Sequence, residues 1–451
     1  MADDSVYRLF SEMGESDRVA VWPFVESQIQ LGTVIESELM AVEDHVAPAT
    51  SILRHPKLDL ITFPFEWSFQ MLKDAALLQL DLVRAGALAG VGVKDASSYN
   101  IQFVGTTPIF IDVGSFQPRK RSDPWFGYQQ FCELFLYPLM LKAYAGVSFQ
   151  PFLRGSVHGI PVDQAKGLLG PLRLKRQRGR FTHVLFHALA QAKLADSDEG
   201  VAEDVAESGM KTELLLATVA KTRKLVESMD TGLDESLWSD YSDRGHYESR
   251  SLAEKAAFVD DSLAGAGALG HVWDVGCNDG MFSRIAANHA DVVLAMDADE
   301  LVIDQLYKQL RTETSVEANR ITPLVVDLST AGGGVGWRGS ERPGLFHRSR
   351  PDAVIYLAVI HHLALTFNIP LQQQLDLLAD STENLVIEFP DENDQMVQKL
   401  LRNKRPGIYS HYTLDNFERL LGERFEVRRR ETLTGGSRTI FFATRTPRTA
   451  S

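Results

Sequence analysis

Cysteine is nearly absent from this sequence. The 451 residues contain two, Cys132 and Cys277, far apart in the chain. That excludes a disulfide scaffold or a multi-cysteine zinc site and leads us to expect a reducing, cytoplasmic compartment. Positive charge is also scarce: 46 Lys and Arg against 60 Asp and Glu give a formal net charge of −14. Neutralising phosphates requires clustered Lys and Arg, so nucleic acid is disfavoured as a bulk partner. No apolar run approaches the ~18 residues of a membrane span. The start, "MADDSVYRLFSEMGES", is acidic and has no apolar h-region, so no signal peptide is expected. Internal repeats are missing, and the glycine pair Gly276-x-x-x-Gly280 is neither G-x-G-x-x-G nor the Walker glycine loop with its Lys-Ser/Thr.

What is present is a chain long enough for two or three domains. Hydrophobic content of 44% and charged content of 24% supply ordinary cores. Two stretches stand apart in composition. Residues 173–180, "RLKRQRGR", are basic: a solvated helix face, or a holder for an anionic substrate group. Residues 196–209, "DSDEGVAEDVAESG", are acidic and small, and read as a solvated hinge. Residues 210–228 predict a helix with Leu214, Leu215, Val219 and Leu225 near one face.

From residue 271 the pattern changes. Short apolar runs at 271–275, 292–297, 321–328, 353–360 and 384–389 read as strands. Helical patterns at 281–290, 299–313, 371–380 and 394–403 separate most of them. Such alternation predicts an α/β fold with a parallel sheet covered on both faces. The runs 425–433 and 438–445 flank "TGGS", so the sheet should end in an antiparallel hairpin.

The stretch "WDVGCNDGMF" (273–282) joins the first of these strands to a helix. Its turn has no Lys, which disfavours a triphosphate cradle, and Asp274 would repel a pyrophosphate. A cationic ligand without phosphate, such as S-adenosylmethionine, suits an acidic, glycine-bearing turn. Gly276 allows a tight turn, and Asn278 tolerates a positive φ. Asp297 ends the second strand, where a carboxylate can accept from ribose hydroxyls. Asp327 ends the third, where an acid can accept from an adenine amino group. Ligands of parallel sheets lie outside the carboxyl ends of the strands.

These motifs, "WDVGCNDGMFS", "VLAMDADE", "LVVDLS" and "YLAVIHHL", resemble in order those of class I S-adenosylmethionine-dependent methyltransferases, over roughly 240–446. The segment from Val325 to Leu371 resembles, more narrowly, the nodulation-associated NoeA-like family of two-part bacterial proteins. The resemblance implies a Rossmann-like seven-stranded sheet whose last strand pair is antiparallel. It makes Asp274, Gly276, Cys277, Asn278 and Gly280 the turn at the methionine end. It places Asp297 at the ribose and Asp327 and Leu328 at the adenine, adds Ala298 and Leu357 as cofactor-binding residues, and has Tyr247 closing over the cofactor or packing on the sheet edge. Trp238 and Tyr241 read as packing. The proton acceptor, if the reaction needs one, is sought among His361, His362, Glu388 and Asp391. One histidine can equally cap its helix. The acids Asp391, Glu392 and Asp394 suit either a cationic amine or the first turn of the next helix. The loop 332–351, with Arg338, Arg342 and Arg348, reads as a substrate-side lid.

In the first half, "VKDASSYNIQFVGTTPIFIDVGSF" (93–116) spaces Asp95, Asn100 and Asp112 much as kinases space their base and metal ligands. Together with the helical run 69–92 and the apolar run 58–68, read as a hinge strand, it resembles a kinase-like C-lobe over roughly 50–150. A glycine-rich phosphate loop and a strand Lys with a partner Glu are missing, so a degenerate module that holds substrate or partner is expected. The same residues also make good turns. Phe131, Phe135 and Leu139 read as core, with Cys132 buried among them.

The expected organisation is an N-terminal α+β domain (1–160), a helical linker region (161–237), a methyltransferase domain (238–446) and a disordered tail (447–451). The expected activity is methyl transfer from S-adenosylmethionine to a small-molecule or natural-product acceptor, with no metal. Three alternatives remain: an N-terminal ATP-dependent phosphotransferase, another S-adenosylmethionine reaction such as aminocarboxypropyl transfer or cyclisation, and a non-catalytic cofactor binder.

Overall fold

A computed structural model of the chain describes residues 5–40, 51–121, 123–170, 212–232, 246–330 and 332–447. The stretches 173–180 and 196–209, the residues Trp238 and Tyr241, the side chain of Tyr247 and most of the expected tail lie outside the described residues. The chain forms two compact units, 1–232 and 233–451.

The first unit opens with β1 (Ser5–Phe10), α1 (Glu12–Gln30), β2 (Glu38–Met40) and β3 (Ser51–Pro56), an antiparallel sheet in the order β1-β3-β2. Residues 58–63 form no strand. They lead into a 3-10 turn at Pro64–Glu66, where Thr62 is tied to the Gln102 amide. The long helix α2 (Phe69–Ala89) follows. Ser68 caps its start by accepting from the Met71 amide, and Gly90 ends it with φ 74°. Next come β4 (Val91–Val93), the hairpin β5 (Ile101–Val104) and β6 (Thr107–Phe110), and β7 (Phe116–Pro118), which pairs with β4. The aromatic segment begins as α3 (Tyr128–Phe131), passes through a π-helical turn at Cys132–Leu136 and continues as α4 (Tyr137–Ala145). Phe131, Cys132, Phe135 and Leu139 are fully buried.

The unit does not stop at 160. After α5 (Gln150–Gly155), α6 (Val162–Leu169) buries Val162, Ala165 and Leu169. Then α7 (Thr212–Glu227) lies along α2, with Leu215, Val219, Thr222 and Val226 inward. Arg223 of α7 pairs with Asp81 at 2.8 Å, and the Lys73 ammonium donates to the Met229 carbonyl at 2.8 Å. Leu214 is turned out to solvent, because the buried stripe steps by four and three residues from Leu215.

The second unit begins with α8 (His246–Gly265) and then alternates. Its elements are β8 (Leu269–Val275), α9 (Met281–Ala286), β9 (Ala290–Asp297), α10 (Glu300–Thr312), α11 (Val316–Asn319), β10 (Ile321–Val325), α12 (Leu345–Arg348), β11 (Ala353–Tyr356), α13 (Ile360–Leu365), α14 (Leu371–Ser381), β12 (Asn384–Pro390), α15 (Gln395–Leu401), α16 (Leu414–Gly422), β13 (Phe425–Thr432) and β14 (Arg438–Arg445). They build a seven-stranded sheet ordered β10-β9-β8-β11-β12-β14-β13. The first five strands in that order run parallel. β14 enters antiparallel between β12 and β13. Strands β10 and β11 stop at 325 and 356, earlier than their apolar runs suggest, because residues 326–328 and 357–359 leave the sheet to line a cavity.

The core is continuous through both layers, from Phe258 and Leu263 of α8 through Val272, Val293 and Ile355 of the sheet to Ile303 and Leu306 of α10. Phe389 is stacked on Tyr412 at 4.8 Å and on Phe417 at 4.5 Å between ring centroids, and is fully buried. Phe389→Ala should cost about 3–5 kcal/mol through lost burial plus the cavity left behind. Urea unfolding would read this as a lower midpoint with an unchanged slope; a loss below ~1 kcal/mol would mean the stack collapses to fill the gap.

Candidate active site

The strand order reverses between β8 and β11, and the chain leaves both strands at their carboxyl ends beside one cavity of about 1120 Å³. Such a switch point is where open parallel sheets bind ligands. The turn after β8 forms the floor. Gly276 has φ 73°, and a Cβ there would lie 2.6 Å from the Val359 side chain. Gly280 has φ 78°, and a Cβ there would lie 2.5 Å from Leu306. Asn278 adopts φ 48°. The amides of Gly276 and Cys277 both donate to the Met296 carbonyl, at 2.8 and 2.9 Å, which fastens the turn to the end of β9.

Asp297 completes that attachment. Its carboxylate accepts from the Asn278 amide at 3.2 Å and from the Asp299 amide at 2.9 Å. Burial raises its pKa above the ordinary aspartate value, with the two amides opposing. Asp297, Ala298, Gly276, Cys277, Asn278, Asp327, Leu328 and Leu357 all line the cavity. Asp327 is partly engaged elsewhere, since its carboxylate accepts from the Ser329 amide and hydroxyl at 2.9 and 2.7 Å. Asp274 and Gly280 shape the cavity from behind rather than line it. Asp274 is buried and accepts from the Ser283 hydroxyl at 2.6 Å. Burial pushes its pKa up to about 7; the Ser283 bond opposes this, and the charges of Asp297 and Asp279 add to it.

At the far end, His362 lines the cavity and His361 does not. His361 is buried, and neither of its ring nitrogens finds a partner among the described residues. Burial lowers the pKa of both; His362 and then Arg438 and Lys255 add to this for His361, and Arg438 for His362. His362 is therefore neutral near pH 7, as a proton acceptor must be. Glu388, expected as a candidate base, is fully buried behind the wall. The Lys255 ammonium reaches it at 2.6 Å and Arg438 at 3.4 Å. Burial alone would raise the Glu388 pKa, and these two cations outweigh it and hold the group below the usual carboxylate range. Asp394 caps α15 and binds Arg438 at 2.7 Å, and Asp391 lines the cavity while accepting from the Asn393 amide.

Lys255, Ser251 and Arg438 are cavity residues that the sequence reading missed. A Lys on the buried side of a helical stretch and an Arg opening the last strand were the available signals. The expected lid is a correction. Among the described residues, the loop 332–351 does not line this cavity. It closes on itself through the Val335–Arg342 bridge and packs Phe346 on Trp273 at 5.6 Å between centroids.

In the first unit, Ser115 draws two of the singled-out residues together, donating to Asp112 and, at 3.4 Å, to Asp95. The Asn100 amide donates to Asp112 at 3.4 Å, and Arg8 of β1 forms an ion pair with Asp112. Asp112 thus already faces a positive charge. Among the described residues, no group of three or more His, Cys, Asp or Glu is placed to hold a metal ion.

A parallel sheet in this order, closed by an antiparallel hairpin, with a glycine turn after β8 and a carboxylate after β9, defines the fold of class I S-adenosylmethionine-dependent methyltransferases. The chain belongs to the family of the nodulation protein NoeA. It is 31% identical to NoeA of Rhizobium meliloti (strain 1021) over 402 residues, 86% of this chain and 81% of that one. No protein-family model matches it. Among solved structures it is similar to the N-methyltransferase NodS from Bradyrhizobium japonicum WM9 in complex with S-adenosyl-L-homocysteine, at 13% identity and TM-score 0.33, over 48% of this chain and 94% of that one. It is also similar to magnesium protoporphyrin IX methyltransferase (ChlM) from Synechocystis PCC 6803, at 21% identity and TM-score 0.33, over 45% and 88%.

The raised pKa of Asp274 makes stability depend on pH. The folded state holds a proton that the unfolded state releases near 3.8, so this contribution is present at low pH and is lost as pH rises from there to about 7. Urea midpoints of the unliganded protein should fall across that window relative to Asp274→Asn. Parallel curves would show that Asp274 ionises normally.

Proposed function

We propose that the second unit transfers a methyl group from S-adenosylmethionine to a small-molecule acceptor. The observation that carries this is convergence: the glycine turn, Asp297 and Asp327 on one side, and a neutral His362 on the other, share a single cavity. The floor is rich in acceptors and carboxylates and has no Lys or Arg in its turn, which fits a cationic ligand without phosphate. Gly276 lines the cavity and has no room for a Cβ against Val359, so backbone rather than side chain stands there.

When bound, S-adenosylmethionine supplies an electrophilic methyl group. Asp297 accepts hydrogen bonds from hydroxyls at the end of β9, and Leu328 and Leu357 offer apolar walls. His362 takes the proton that the acceptor loses as it attacks. Lys255, Glu388 and Arg438 hold the helix α8, the strand β12 and the hairpin around that end. Most of this is positioning, which can supply several kcal/mol of barrier lowering. The similarity to NoeA runs through both units, since 86% of the chain exceeds either one. That supports a reading in which the first unit serves the same reaction by recognising or presenting the acceptor.

Calorimetric titration with S-adenosylhomocysteine should give binding, weakened by about 1–3 kcal/mol in Asp297→Ala through loss of charge-assisted hydrogen bonds. Unchanged affinity would remove Asp297 from the ligand. Once an acceptor is in hand, His362→Ala should lower turnover by roughly 100- to 10,000-fold. A variant that turns over normally would assign proton removal to solvent or to another group.

A further inference from the structure

The cavity is lined by His362, Thr366 and Phe367, and helix α15 packs beside α13, which carries His362. Helix α15 gives Met396, Lys399 and Leu400 to the wall. The chain then returns to the same rim, where the Tyr409 hydroxyl donates to Asn368 and, at 3.4 Å, to the Leu365 carbonyl, beside the lining residue Phe367. Between those two attachments, residues 395–412 carry Lys399, Arg402, Lys404 and Arg405 and not one Asp or Glu, in a chain of net charge −14. The nearest buried carboxylates are engaged: Glu388 by Lys255 and Arg438, Asp394 by Arg438 and its own helix start. None of the four basic side chains forms an ion pair with a described residue. Lys399, Arg402 and Arg405 are exposed, and Lys404 lies over the Tyr409 ring at 5.8 Å. Apolar surface stands beside them, with Phe367 50% and Ile408 55% exposed.

We propose that the acceptor is a small molecule bearing an oxyanion, a phosphate or sulfate group. Lys399, Arg402 and Arg405 receive the oxyanion at the mouth. The apolar part rests on Met396, Leu400 and Phe367, and the nucleophile reaches inward to His362. This rests on reading the cavity as the methyl-transfer site. A protein of this net charge repels anions on average, so a local cationic rim is what brings one in. Guanidinium groups match tetrahedral oxyanions through paired N–H donors. Of the acids that could face a cationic amine, Asp394 is engaged by Arg438 and by its own helix start.

The test is calorimetric titration of the full chain with sodium pyrophosphate, with and without saturating S-adenosylhomocysteine. Saturable binding that weakens with added salt, and about tenfold or more in K399E/R402E/R405E, is expected. An unchanged urea-unfolding midpoint of that triple variant reports that its fold persists, and the milder K399Q/R402Q should fall between. No pyrophosphate binding, or equal binding by the triple variant, overturns the proposal. So does capture by phosphatidylglycerol vesicles without pyrophosphate binding, because the basic rim would then serve a lipid surface. If S-adenosylhomocysteine fails to bind while pyrophosphate binds, the methyl-transfer reading falls and the oxyanion site stands.

Discussion

The Asp297 carboxylate and the Met296 carbonyl are the attachment on which the site depends. Both belong to the last two residues of β9, and together they accept from the amides of Gly276, Cys277 and Asn278 in the turn after β8. A left-handed turn of this kind leaves its backbone donors pointing away from any helix or ladder, and buried donors must be paired. Pairing them to the neighbouring strand fixes the distance between the turn and the end of β9. It also places the charged end of Asp297 at the cavity wall, where burial raises its pKa. The carboxylate that fastens the turn is therefore also one that lines the cavity.

The opposite end is organised by a different problem, the burial of Glu388. A fully buried carboxylate is costly unless it is paired. Here its partners come from two directions: Lys255 from α8, which precedes the sheet, and Arg438 from β14, which closes it. Arg438 continues to Asp394 at the start of α15. The network ties together the first helix, the last hairpin and the helix that carries the cavity mouth. It also sets up the electrostatics of His362, because positive charge beside a buried imidazole favours the neutral form. The cavity therefore combines carboxylates at its floor, an imidazole whose pKa is lowered and basic side chains in its wall, three environments within one concave surface.

Much of the second unit was legible in the sequence, for a plain reason. Parallel strands covered on both faces are continuous apolar runs, and "HVWDV", "VVLAMD" and "AVIYL" say so without help. Turn chemistry was equally readable: Asn278 is a residue type that tolerates a left-handed conformation, and it adopts one at φ 48°. What failed had no local signal. Histidine 361 and histidine 362 are adjacent, and only the rotation of α13 sends one into the core and the other to the cavity. The loop 332–351 reads as an active-site lid by length and composition, yet it packs Phe346 against Trp273 instead. In the first half the run 58–68 is apolar enough for a strand. It stays irregular because Pro64 lacks a ladder donor and Gln102 takes up the Thr62 backbone.

Sequence by itself determined the alternation of strands and helices, the hairpin that ends the sheet, the glycine turn and the carboxylates at the strand ends. Each depends on a few neighbouring residues: side-chain periodicity, allowed φ and ψ, the chemistry of a turn. Tertiary structure alone decided which of those residues meet. Lys255 and Glu388 are distant in the chain and come together because α8 packs against the core of the sheet. The basic segment 395–412 becomes a rim only because Tyr409 returns to Asn368. Contacts between distant residues follow from how elements pack against one another, and a one-dimensional pattern carries no term for that.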